Sequence, residues 1–203
     1  VFAIVLGILL SNLWKLPDAF QAGLTYSGKK LLQYSIIFLG FSMSIGKVSA
    51  TGLSSLKISL LTILIAFLAA YAAGKFFKMR RVLTILIGFG TAICGGSAIA
   101  AASPILEAEE EDIALSISTI FFFNILAVFI FPFLGHLMQM SDGYFGTWAG
   151  TAINDTSSVV AAGYTYSQAA GDLATIVKLS RALMIVTACL IFAGYRYVRD
   201  KRS

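Results

Sequence analysis

The sequence predicts an all-α integral membrane protein with about seven hydrophobic segments. Three observations carry that prediction. Of 203 residues, 58% are hydrophobic and 12% charged, about half the charged share of a soluble domain. The mean hydropathy is +0.86. The apolar residues fall in runs near the ~20 residues that a helix needs to cross a hydrocarbon core of ~30 Å. These runs are 1–14, 30–45, 56–77, 82–102, 112–138, 144–164 and 172–197. Residues 1–203 thus read as a single polytopic membrane domain. Within it, 1–78 are scaffold-like helices and 82–197 a core with two broken-helix motifs. The chain opens at Val1 inside an apolar run, with no basic flank of a signal peptide. The expectation is a truncated version of a longer transporter.

The net charge is +5, but no basic stripe interleaved with aromatics marks a nucleic-acid surface. Three clusters, at Lys15/Lys29/Lys30, at Lys75/Lys78/Arg80/Arg81 and at Arg196/Arg199/Lys201/Arg202, hold 11 of the 15 basic residues. If every segment crosses once, the three share one side, and the positive-inside rule makes that side the cytoplasm. The C-terminus is then cytoplasmic, and the acidic run Glu107, Glu109, Glu110, Glu111, Asp112 lies outside. The two cysteines, Cys94 and Cys189, sit in apolar segments without redox or metal spacing, so no disulfide, metal or cofactor is expected. His136 and the aromatics Trp14, Tyr144, Trp148 and Tyr164 near segment ends read as interfacial. No nucleophile–base, nucleotide or zinc motif is present, so the expectation is not an enzyme.

The sharpest signal is a self-match. Gly90-Thr91-Ala92-Ile93 recurs as Gly150-Thr151-Ala152-Ile153, at an offset of 60 residues. Ser97/Ser157, Ala101-Ala102/Ala161-Ala162, Asp112/Asp172 and Ala114/Ala174 keep that offset. Glycine costs about 1 kcal/mol in a helix interior relative to alanine. The fourth segment holds Gly88, Gly90, Gly95 and Gly96, and the sixth holds Gly146, Gly150, Gly163 and the polar run Asn154 to Ser158. Both are poor continuous helices, so each is broken or re-entrant. In lipid, unwound backbone survives only against protein or a water-filled cavity. Paired broken segments are the best sequence pointer to a transporter's binding site. Their half-helix N-termini attract anions. Tight packing through small residues is the alternative reading.

Three charges lie inside apolar segments. Asp155 sits mid-segment, where a charge costs roughly 2.5–3.5 kcal/mol on insertion scales. It reads as a proton- or cation-coupling group, or as a structural acid. Lys178 and Arg181 share a helix face at i, i+3. Either they snorkel to the surface, or they face the polar break and neutralise an anion, with Asp155 as counter-ion when the site is empty.

The motifs Ile93-Cys94-Gly95-Gly96-Ser97-Ala98 and Gly150-Thr151-Ala152-Ile153-Asn154-Asp155 through Val159-Val160-Ala161-Ala162-Gly163, with Lys178-Leu179-Ser180-Arg181, resemble the signatures of the YeiH-like sulfate exporter family. The resemblance covers the whole chain. It implies part of an inverted-repeat secondary transporter of the cation/proton antiporter and anion transporter superfamily, with crossed, interrupted helices beside a scaffold. Some members carry His-Glu in place of Asn154-Asp155, and members are longer.

The primary expectation is therefore a secondary transporter in a bacterial cytoplasmic membrane. It would export a small anion such as sulfate or an organosulfonate. Gly90, Thr91, Cys94, Gly95, Gly96, Ser97, Gly150, Thr151, Asn154, Ser157, Lys178 and Arg181 would bind the anion, and Asp155 would couple to protons or sodium. A cation/proton antiporter using Asn154-Asp155 and a non-transporting membrane subunit are the alternatives. A homodimer is an open partner assignment.

Overall fold

The computed structural model describes residues 45–182 and 184–200, with the isolated positions Leu6, Gly23, Tyr26, Ser27, Tyr34 and Phe38. The expected segments 1–14 and 30–45 lie almost wholly outside the described residues. The chain divides into two units, Val1–Ala50 and Thr51–Ser203. Apart from the first residues of helix α1 (45–50), the geometry below belongs to the second.

Among the described residues every regular element is a helix. Helix α1 is Ile45–Phe76, with Lys75 in its last turn, where a cation suits the negative helix end. The glycine-rich fourth segment becomes two helices, α2 Arg81–Ala92 and α3 Gly96–Leu106. Helix α4 is Glu110–Leu137 and carries Glu110, Glu111 and Asp112 in its first turn. The sixth segment also becomes two helices, α5 Asp142–Ala152 and α6 Thr156–Tyr166. The seventh is α7 Gln168–Ala182 and α8 Met184–Asp200, on either side of residue 183, which is outside the described residues.

Neither broken segment runs straight through. Arg80, just before α2, is ion-paired with Glu109, Glu111 and Asp112, just after α3, at 3.1, 2.9 and 2.9 Å. Its hydrogen bond to Glu111, followed by the field of Asp112, raises the Arg80 guanidinium above its ordinary value. The two ends of the fourth segment thus lie together, so α2 and α3 form a helical hairpin. The sixth segment repeats the design. Ser167 donates to Asp142 at 2.6 Å, and the Tyr166 hydroxyl donates to the Met140 carbonyl. The start of α5 and the end of α6 therefore share one end. The arms are 11 or 12 residues long. At about 1.5 Å per residue each arm reaches ~17 Å, near half of a ~30 Å core.

Helix α4 relates the hairpins. Its first turn lies at the base of the α2–α3 hairpin, through Arg80–Asp112. Its last turns lie at the base of the α5–α6 hairpin, where Gly135 faces the rings of Phe145 and Tyr166. Between them, Ile120 packs against Gly90 and Gly95, and Asn124 bonds to residues 154 and 155. The hairpins thus enter from opposite ends of α4 and meet tip to tip beside its middle. Helix α7 runs parallel to α5, with Gly146 against Ala170 and Gly150 against Ala174 and Val177, and antiparallel to α6, with Gly163 against Gly171. Helix α8 then returns toward the base of the α2–α3 hairpin, where Phe192 packs on Phe67 and Phe89.

This geometry corrects one expectation. The acidic run does not lie opposite the basic residues 75–81. It lies with them, because a hairpin returns the chain to the side from which it came.

Each hairpin carries its own core. Leu86, Phe89, Ala92, Ile93, Ala98, Ile99 and Ala102 close with Ile120 in the first. Phe145, Ala149, Ile153, Val159 and Ala162 close with Ala170 and Ala174 in the second. Large apolar side chains point outward from α1 and α4, among them Leu64, Leu68, Phe122 and Phe123, which is the surface that a lipid environment selects. Among the described residues, two stretches, Lys57–Phe76 and Glu110–Leu137, are long and apolar enough to cross a membrane.

A Cβ on Gly150 would come within 2.6 Å of the Ala174 carbonyl, so Gly150→Ala forces α5 off α7. Overpacking of this kind costs about 1–3 kcal/mol. A lower melting temperature in detergent is expected for Gly150→Ala but not for Gly143→Ala, since Gly143 faces open space. The hairpins have a topological signature as well. With Cys94 and Cys189 replaced, an impermeant maleimide should label Asp142→Cys and Ser167→Cys from one side and Glu109→Cys from the other. Labelling of positions 142 and 167 from opposite sides would rule out a re-entrant sixth segment.

Candidate functional site

The site is built where the hairpin tips meet. The first tip is Ile93-Cys94-Gly95. Gly95 has φ of +70°, a conformation that residues with a Cβ seldom adopt. Its amide donates to the Gly90 carbonyl at 2.9 Å, and its carbonyl accepts from Ala98 and Ile99. A Cβ at Gly95 would lie 3.7 Å from the backbone of Asn154, so the two tips touch there. The second tip is Ile153-Asn154-Asp155, with extended backbone at Ile153 and Asp155.

A helix end leaves its last carbonyls unpaired, and these two ends lie inside the protein. Lys178 and Arg181, near the C-terminal end of α7, satisfy both. Lys178 Nζ donates to the Ile93 and Ile153 carbonyls, each at 2.9 Å. Arg181 donates from Nε to Ala92 at 2.6 Å and from Nη2 to Thr91 at 3.1 Å. Its Nη1 donates to the Thr151 carbonyl. Lys178 therefore takes the Ile of both Gly-Thr-Ala-Ile quartets, and Arg181 takes the Thr of both. The two side chains are 0% and 1% exposed. The cations sit at the negative ends of α2 and α5, where the helix dipole favours them. They do not snorkel; of the two readings of the sequence, they follow the one that turns them toward the break of the sixth segment, and their direct partners are backbone carbonyls.

Asp155 is the N-cap of α6. Its Oδ2 accepts from the Ser158 amide at 3.1 Å, from Ser158 Oγ at 3.3 Å and from Ser157 Oγ. Among the described residues it makes no ion pair with Lys178 or Arg181, whose direct partners are carbonyls. Asn124, mid-way along α4, accepts at Oδ1 from the amides of Asn154 and Asp155, at 3.1 and 3.4 Å. Among the described residues, two buried side-chain atoms at the tips have no partner, Asn124 Nδ2 and Asn154 Oδ1. The N-terminus of α3 has no side-chain cap.

The remaining candidates divide by position. Cys94 and Gly96 are half-buried at the first tip, and Ser97 is exposed on the first turn of α3. Thr91 and Thr151 serve through their carbonyls, and the Thr151 hydroxyl turns back to Thr147 and Trp148 at 2.7 and 3.1 Å. Gly90 and Gly150 do not open toward the tips. They allow close packing against Ile99 and Ile120, and against α7. Asp112 and Asp172, the far end of the self-match, each pin the helix after a hairpin. Asp112 binds Arg80, and Asp172 accepts from the Tyr164 hydroxyl at 2.5 Å. A cavity of about 660 Å³ lies elsewhere, among Phe67, Tyr71, Lys75, Arg81 and Phe192.

Asn124 was not among the residues that the sequence singled out. Its signal was present: an amide amid Phe121-Phe122-Phe123 and Ile125-Leu126 is a polar group in a lipid-length helix, which points to function by default.

Fold and site together define a helical membrane protein whose centre is a pair of opposed hairpin tips. The family described as Conserved hypothetical protein 698 matches residues 1–203, and the chain belongs to it, in agreement with the resemblance carried by the tip motifs. A UPF0324 membrane protein of Clostridium tetani is 46% identical over 201 residues, covering 99% of this chain and 57% of that protein. One from Streptococcus pneumoniae is 47% identical over 207 residues, covering 100% of this chain and 61% of that protein. One from Fusobacterium nucleatum, UPF0324 membrane protein FN0533, is 42% identical over 209 residues, covering 100% and 60%. The chain thus spans about three fifths of these relatives (57–61%). No solved structure matches.

Removing the Lys178 ammonium strands two buried carbonyls. Hydrogen bonds to charged groups are worth about 1.5–3 kcal/mol each. Lys178→Met should therefore lower the melting temperature sharply and expose the tips to thiol reagents at Cys94. Asp155→Asn keeps an acceptor for the Ser158 amide and should melt close to the parent protein. A Lys178→Met variant as stable as the parent would show that the clamp does not hold the tips.

Proposed function

We propose that this protein is a secondary transporter of a small anion, with one substrate site where the hairpin tips meet. The observation that carries this reading is the charge balance there. Lys178 and Arg181 are buried behind the tips, and Asp155 is the one carboxylate among the residues that form them. An anion arriving between the tips meets a net positive field and the uncapped N-terminus of α3, both of which favour it. The opposed hairpins are the arrangement expected of inverted repeats, with half-helices ending near the bilayer midplane. Sulfate or an organosulfonate is the proposed substrate class, moved outward.

Orientation follows from charge. Residues 75–81 and the end toward which α8 runs share a side, and the positive-inside rule makes it cytoplasmic. The acidic run now lies on that side too, but acids count little in the rule, so the reading stands. The membrane is proposed to be the bacterial cytoplasmic membrane, and the named relatives are bacterial.

Asp155 is the proposed coupling group. Its half-buried carboxylate caps α6, so binding a proton or sodium there changes the second tip directly. A cation/proton antiporter is the second reading, favoured by the unpartnered Asn154 Oδ1 beside that carboxylate.

Flux through the full-length protein in proteoliposomes tests the proposal. Labelled sulfate or sulfonate should exchange across the vesicle wall and respond to an imposed pH or sodium gradient. Asp155→Asn should abolish that response while leaving the folded protein intact. Unchanged gradient-coupled flux in Asp155→Asn would remove Asp155 from the mechanism. Sodium–proton exchange without anion flux would favour the antiporter. No flux of either kind would favour a non-transporting subunit.

A further inference from the structure

The two unpartnered atoms at the tips are of opposite kinds. Asn124 is 2% exposed and Asn154 is 8% exposed. The Oδ1 of Asn124 is fixed as an acceptor, because the amides of residues 154 and 155 both donate to it. Its Nδ2 is therefore a donor held beside the second tip, and among the described residues it is unused. Asn154 Oδ1 is an unused acceptor on that same tip. Neither satisfies the other. A buried polar atom without a partner is costly to keep, so such a pair is complementary to a ligand that supplies both partners. The uncapped α3 N-terminus, next to the Gly95–Asn154 contact, adds donors for a charged oxygen.

We infer that the substrate is an oxyanion that carries its own hydrogen donor. Asn124 Nδ2 and the α3 N-terminus hold the charged oxygens, and Asn154 Oδ1 accepts the ligand's O–H or N–H. This inference rests on the anion reading and narrows it, since sulfate has no hydrogen to give at neutral pH whereas a hydroxy- or aminosulfonate does. A site built to bond a substrate hydroxyl rejects the analogue without one far more strongly than an apolar pocket can reject an added group.

Matched ligand pairs test it, read by thermal stabilisation and calorimetry on the purified full-length protein. Hydroxyethanesulfonate is set against ethanesulfonate, and hydrogen carbonate against nitrate. Within each pair the member with the hydroxyl should bind at least tenfold tighter. Asn154→Leu should erase that preference. Asn124→Asp keeps the acceptor for the two tip amides but loses the amide donor, so it should weaken every oxyanion at least tenfold, and as a buried carboxylate in a lipid-length helix it should also melt below the parent. Equal affinity within each pair, or full affinity in Asn124→Asp, would overturn the inference and leave the anion reading standing. Binding of sodium or protons with no oxyanion binding would overturn both.

Discussion

Everything at the centre of this protein depends on two cations holding two helix ends. Helices α2 and α5 each stop inside the protein, and each presents carbonyls that no following turn can satisfy. In a low-dielectric interior those groups need donors. A hydroxyl would serve one of them. Lys178 serves two, and Arg181 three, through rigid N–H groups that spread across both tips. The cost of burying two like charges on one helix face is offset by the partial negative charge at the ends of α2 and α5, and by five hydrogen bonds. A lysine in place of Arg181 could not reach three carbonyls on two helices, so the pair is not interchangeable.

The clamp gives the internal repeat a physical meaning. Thr91 and Thr151, like Ile93 and Ile153, are bonded through backbone oxygen to the same two side chains. What recurs is less a set of side chains than a helix end of defined shape. The glycines let it pack close, the β-branched residues fill its hairpin core, and the break follows at once. Two copies entering from opposite ends of α4 can share one clamp because α7 passes beside both tips.

Much of this was legible in the chain. The self-match located both breaks to within a residue or two, since glycine and polar runs weaken a helix wherever they occur. The basic pair on α7 announced itself as two charges in an apolar run. Re-entrance was not legible. A hairpin with two arms of 11 or 12 residues has the length and hydropathy of one crossing helix, and only the closure of its ends distinguishes them. Arg80 to the acidic run and Ser167 to Asp142 are contacts of long sequence separation, invisible to any local pattern. The direct partners of Lys178 and Arg181 were not legible for a related reason. Opposite charge suggested Asp155 as partner, but five carbonyls in fixed positions offer more to two buried cations than one half-exposed carboxylate.

The two tips are alike at the end of the first arm and different at the start of the second. At the first tip the turn is made by Gly95 at positive φ, and α3 begins without a side-chain cap. At the second tip the turn is extended, and Asp155 caps α6 from within the chain. A positive helix end that already holds its own carboxylate is a poor place for a second anion. The end of α3, which has no side-chain cap, is a better one. Under the proposed function the tips thus divide the work. Hairpin α2–α3 presents the open end to the substrate. Hairpin α5–α6 presents a carboxylate that a proton or sodium can neutralise, and in doing so weakens the cap that shapes its own tip. On that reading, because Lys178 and Arg181 bind both tips at once, a change at the second would reach the first through the clamp itself, with no longer path required.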